Sequence, residues 1–108
     1  MPRRLNRFKH HLQFLSVCDS NTCKDVIKGA NRELVNTICE CALNVLKGNV
    51  PLTPTQKKHL AKYKGTLRKL VLKGSTRKKK HILQTGRGLL PFLLGPVLGV
   101  LSSLLFNK

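Results

Sequence analysis

The 108-residue sequence predicts an all-α fold: a small helical bundle, then a basic linker, then an apolar C-terminal helix. Three observations lead to it. Apolar residues recur at three- and four-residue intervals through most of residues 5–72, the period of a helix that buries one face. Residues suited to start and stop helices stand at the right offsets around those stretches. Neither strand-like alternation nor a repeat of fixed period occurs. A chain of this length has room for one small domain plus appendages. The expected division is a basic bundle over 1–72, a basic linker over 73–87 and an apolar tail over 88–108.

The elements follow in order. Residues 3–16 space Leu5, Phe8, Leu12 and Leu15 helically among Arg3, Arg4, Arg7 and Lys9, a basic amphipathic helix. Ser20 or Asn21 is expected to cap a short second helix carrying Cys23, Val26 and Ile27, with Gly29 as its stop. Asn31 is a good cap for a core helix whose stripe is Leu34, Val35, Ile38, Ala42, Val45 and Leu46, closed by Gly48. Thr53-Pro54-Thr55-Gln56 then combines a threonine cap, a proline in the first turn and a glutamine three residues on, a capping box. Leu60, Tyr63, Leu67, Leu70 and Val71 give that helix its inner face, weakened at Gly65, and Gly74 is expected to close it. Ser75 can cap a last short helix, Thr76 to about Gln84. Its first turns hold Arg77, Lys78, Lys79 and Lys80, which oppose the helix dipole, so fraying is expected without a bound anion.

From Gly88 to Phe106 no residue is charged. About 20 apolar residues suffice to cross the roughly 30 Å of bilayer hydrocarbon, so this run lies at the threshold for spanning. Pro91 is tolerable in a first turn, while Pro96 beside Gly95 would kink the helix. Leu89, Leu90, Phe92, Leu93, Leu94, Val97, Leu98, Leu101, Leu104 and Leu105 are the candidate lipid-contacting residues. Gly95, Gly99 and Ser103 line up as a small-residue face through which tails could self-associate in lipid. So small a basic body has little core to hide such a segment, and the tail is read as membrane-seeking. The plainer alternative is a helix docked on the bundle.

Charge is the strongest compositional signal. Lys and Arg number 21 against 4 Asp and Glu, a formal net charge of +17, and no acid follows Glu40. Such a chain favours polyanions, either nucleic acid or anionic lipid. Lys57, Lys58, Lys62, Lys64, Arg68, Lys69, Lys73, Arg77, Lys78, Lys79 and Lys80 form an acid-free run, in which Lys58, Lys62, Arg68, Lys69 and Lys73 largely avoid the apolar face of the helix from Pro54. A mixed-sign run is usually just a solvated face; this one is of one sign and self-repelling. Lysine predominance favours neutralising phosphates over reading base edges. With Tyr63 the lone tyrosine and no tryptophan, a stacking platform for single strands is poorly supported. Double-stranded DNA bound without sequence preference is the expected partner. Arg77 to Lys80 also fits a nuclear import signal.

Cys18, Cys23, Cys39 and Cys41 follow an N-terminus with no apolar leader, so reduced thiols in a reducing compartment are expected. Their spacing matches no zinc module, with or without His10 and His11, and they are read as small, half-buried core residues. No metal or cofactor is expected. Four scattered carboxylates make no acid/base pair, and His59 and His81 complete no nucleophile triad, so an enzyme is not expected.

Between the cationic run and the tail stand Gln84-Thr85-Gly86-Arg87-Gly88. Gln84, Gly86 and Gly88 resemble the processing site of adenovirus-type cysteine proteases, which in that family cut before a glycine; Arg87–Gly88 is the candidate scissile bond. The whole layout is similar to the small basic core proteins of adenoviruses, the mu (protein X) precursors, and their relatives in adintoviruses and Polinton-type elements. Gly88-Leu-Leu-Pro-Phe-Leu-Leu-Gly-Pro resembles the opening of that family's tails. The stretch from Glu40 to Lys57 resembles a central segment of Polinton and adintovirus proteins with this layout. The likeness covers about residues 35–100 and departs from the adenovirus type in its helical body and its preference for lysine. It implies a virion protein of the host nucleus, with packaged DNA, viral protease and capsid proteins as partners and a tail that meets membrane during entry. The rival class is a cellular tail-anchored protein whose basic face contacts anionic lipid.

Overall fold

The computed structural model of the chain describes residues 7–72, 74–85, 90 and 93–98, and every regular element among them is an α-helix. The all-α expectation holds. The helices are α1 Lys9–Val17, α2 Ser20–Lys28, α3 Arg32–Leu46, α4 Pro54–Val71 and α5 Thr76–Thr85. Residues 90 and 93–98 are helical as well.

Local chemistry sets most of the boundaries. Asn31 accepts a hydrogen bond from the Leu34 N–H at 2.8 Å, satisfying one orphan donor at the start of α3. At its other end the Asn49 N–H donates to the Asn44 carbonyl at 3.0 Å and the Gly48 N–H to that of Val45 at 3.2 Å. That pair is a Schellman motif, and Gly48 takes the left-handed conformation it requires, φ 77°. At the start of α4 the Thr53 hydroxyl accepts from the Gln56 N–H at 3.2 Å, while the Gln56 side chain accepts from the Thr53 N–H at 2.9 Å. The capping box expected from the sequence is therefore present. Ser75 caps α5, its hydroxyl accepting from the Lys78 N–H at 3.2 Å.

Other expectations are corrected. The first helix is described only from Lys9, with Phe8 at its cap, and Leu5 lies outside the described residues. Asp19, and neither Ser20 nor Asn21, caps α2 by accepting from the Thr22 N–H at 2.8 Å. That backbone hydrogen bond holds the Asp19 carboxyl below its ordinary pKa. Helix α4 ends at Val71, before Gly74, because Leu72 turns extended. Cys18 and Cys23 are joined in a disulfide across a Cα–Cα distance of 5.8 Å, so these two are not the reduced thiols expected. The break between α1 and α2 at Asp19 is what brings their sulfurs together.

Helix α3 contributes more buried residues than any other of these helices. It packs against α4 and α5, α4 and α5 touch each other, and α2 lies on α5. A single-stripe helix would bury one face; α3 buries Cys39 and Cys41 together, although two residues apart puts them roughly 200° apart around the axis. Partners therefore cover it on more than one side. Thr37, also fully buried, donates its hydroxyl to the Glu33 carbonyl at 2.8 Å.

One hydrophobic cluster runs from Phe8, Leu12 and Leu15 through the α3 stripe to Leu67, Leu70 and Leu83, and on to Leu90, Leu93, Leu94 and Val97. It crosses both boundaries of the expected three-part division. The stretch read as a linker holds α5, which contributes Leu83 to the core and ties itself to α2. The Lys80 ammonium donates to the Lys28 carbonyl at 3.1 Å and the Gln84 amide to the Lys24 carbonyl at 3.1 Å. A cation on the last carbonyls of α2 also complements that helix's dipole.

Candidate nucleic-acid interface

Of the eleven cations read as phosphate-binding, six belong to α4: Lys57, Lys58, Lys62, Lys64, Arg68 and Lys69, all exposed. Leu67 and Leu70 fix the rotation of the helix, because both are fully buried and Leu60 and Tyr63 pack beside them. The lysine ammonium of residue 62 lies 5.4 Å from the centre of the Tyr63 ring. On α5, Arg77 and Lys78 are exposed while Lys79 and Lys80 are half-buried, Lys80 being occupied by the α2 carbonyl. Lys73 lies outside the described residues. α4 and α5 are in contact, so the two cation-bearing helices are neighbours in the bundle.

The four acids lie elsewhere in the chain. Asp19 caps α2 and Glu33 pairs with Arg7 at 2.8 Å on the surface at the start of α3. Asp25 belongs to α2 and Glu40 to α3. Neither α4 nor α5 contains a carboxylate.

Sequence reasoning missed Arg32. The first residue of α3, it lines an open cleft of about 440 Å³ with Asn36, Gly74, Ser75, Thr76 and Lys79. The cleft puts Arg32 of α3 and Lys79 of α5 on the same lining. Nothing in the sequence joins residues more than 40 positions apart, so only the packing of α5 on α3 reveals it.

The free thiols are shielded. Burial, with Glu40 as the next cause, pushes the Cys41 thiol up to about 12, and burial likewise raises that of Cys39. A thiol becomes a nucleophile or a metal ligand as thiolate, which these sites disfavour. Among the described residues no three His, Cys, Asp or Glu side chains gather as a metal site.

The tail sits differently from its lipid-facing expectation. Leu93 and Leu94 are fully buried, Leu90 and Val97 nearly so, and Leu98 packs beside them. In this structure they complete the protein core, the docked arrangement that is the plainer reading of the sequence. Their composition is shared by core and membrane helices, which is why sequence alone could not separate the two. Gly95 is exposed, and Pro96 lies within the helical residues 93–98. Among the described residues no helix is long and apolar enough to cross a membrane. Leu89, Phe92, Leu101, Leu104 and Leu105 lie outside the described residues, as do Gly86, Arg87 and Gly88 of the candidate protease site. Its remaining member, Gln84, is half-buried and bonded to α2.

Comparison with family models, curated proteins and solved structures finds no match to this chain.

Proposed function

We propose that the chain binds double-stranded DNA without sequence preference, neutralising phosphates with the cations of α4 and α5. One observation carries this reading: two packed helices present eight exposed or half-buried lysines and two exposed arginines and contain no acid. A solvated face gains from mixed signs, whereas a field of one sign repels itself until a polyanion covers it. Lysine binds phosphate as a point charge and does not demand the planar geometry by which arginine reads guanine.

Titrating duplexes of unrelated sequence with the full chain over a range of salt tests the reading. If about six phosphates are neutralised, log K falls with log salt at a slope near −5 and hardly differs between sequences. A shallow slope, or a strong preference for one duplex, overturns it. Vesicles of anionic lipid run in parallel separate the tail-anchored alternative, for which lipid would outcompete DNA.

The resemblance to small basic core proteins supplies the setting: a virion protein that accompanies packaged DNA in the host nucleus, with viral protease and capsid proteins as partners. Membrane contact by the tail then belongs to a state in which residues 90–98 have left the core. Intact protein is expected to leave liposomes sealed, and a synthetic peptide of residues 88–108 to make them leak. Leakage by the intact, folded protein would show that no such release is needed.

A further inference from the structure

The cations of α4 are arranged in two rows, and the arrangement specifies how DNA would be held. At 3.6 residues per turn, Lys57, Lys64 and Arg68 fall on one line along the helix and Lys58, Lys62 and Lys69 on another, roughly 120° around the axis. All six are exposed. Opposite the rows lies the inward face of Leu67 and Leu70. Midway between the rows, on the outermost line, stand Ala61 and Gly65, both exposed. A Cβ added to Gly65 would meet nothing within 4 Å. The part of α4 farthest from the core is therefore uncharged and narrow, with cations on either flank.

A helix that lies on the outside of a single phosphate strand needs its cations on the outermost line. This helix has them at the sides. We infer that α4 seats in the major groove of B-form DNA, with Ala61 and Gly65 toward the groove floor and the two lysine-rich rows reaching phosphates of opposite strands. The inference rests on the DNA-binding reading above and specifies its geometry. The dimensions agree: the groove is about 12 Å wide and admits a helix about 10–12 Å across. With 18 residues, α4 is about 27 Å long, enough to lie in the groove past several base pairs. Alanine and glycine offer base edges no side-chain donor or acceptor, so a helix seated this way tolerates any sequence. Long lysine stems let the flanking ammonium groups reach phosphates while the backbone approaches the floor.

The test uses the full chain and three readouts. Gly65→Ala and Gly65→Leu both replace a glycine inside an exposed helix by a better helix former, so both raise Tm by a few degrees. Gly65→Ala keeps the ridge narrow and leaves DNA affinity within about two-fold. Gly65→Leu widens it and weakens DNA binding by about ten-fold, the scale of one misfitted contact at a protein–DNA interface. Double-stranded RNA of the same length, whose major groove is deep and narrow, also binds about ten-fold more weakly than DNA. If Gly65→Leu binds DNA as the wild type does, or RNA duplex binds equally well, the groove seating is overturned while DNA binding stands. If wild-type protein shows no salt-sensitive affinity for duplex DNA at all, the DNA reading fails and takes this geometry with it.

Discussion

Leu94 lies in the stretch whose composition points to lipid, yet its side chain is fully buried in protein. Replacing it by alanine removes buried carbon and leaves a cavity, a change that costs about 2–5 kcal/mol in a packed core. Urea denaturation of Leu94→Ala measures it; a loss near zero would mean that the tail does not contribute to the fold. Cys41 gives a second residue-scale expectation. Its thiol has an ordinary value near 9.0 when unfolded and about 12 when folded. Below pH 9 the thiol is protonated in both states and the contribution to stability is complete. As pH rises from about 9 to about 12 the unfolded chain releases its proton more readily than the folded one, so this contribution is lost with rising pH. Cys41→Val isolates this contribution: the variant should lose stability with pH less steeply than the wild type. Equal slopes would place Cys41 in contact with water.

At the scale of the element, the capping box of α4 is the feature most directly written in the sequence, and it can be removed without touching the core. Thr53→Ala deletes the hydroxyl that accepts the Gln56 N–H, at a cost of about 1 kcal/mol. Thermal denaturation should show it, with circular dichroism of the native state unchanged. Signals of this kind were legible because they act over three or four residues: Asn31 before α3, Gly48 after it, Thr53 with Gln56, and Ser75. The inner faces of α3 and α4 were legible for the same reason, as periodic apolar residues have to meet something. What was not legible depends on contacts between elements. Asp19 outcompetes its serine and asparagine neighbours as a cap because the break after α1 places it first, and the same break brings Cys18 to Cys23. Of the candidate interface, sequence located the cations of α4 and α5, since charge needs no partner to be counted. Arg32 and its cleft depend on the seating of α5 against α3.

On the scale of the whole molecule, the tail decides whether the bundle can exist without it. Leu90, Leu93, Leu94 and Val97 belong to the same buried cluster as Leu12, Ile38 and Leu70. Full burial of such side chains stabilises by about 1.5–3 kcal/mol each, roughly 6–12 kcal/mol for the four. Net stabilities of small domains are about 5–15 kcal/mol, so the tail's share is comparable with the whole margin. The bundle must also hold together against a formal net charge of +17, most of it on the helices that the core fastens down. Deleting residues 88–108 is therefore expected to do more than remove a membrane anchor. The shortened chain should lose its cooperative thermal transition and bind a hydrophobic dye, and adding a peptide of residues 88–108 in trans should restore both. DNA binding by the shortened chain would persist at low salt, since lysines on an unfolded chain still attract phosphate, but the penalty of Gly65→Leu should vanish with the helix that displays it. A truncated protein that melts as sharply and at the same temperature as the full chain would show that the bundle is independent of its tail, and that the leucines of residues 90–98 are held there for release and not for stability.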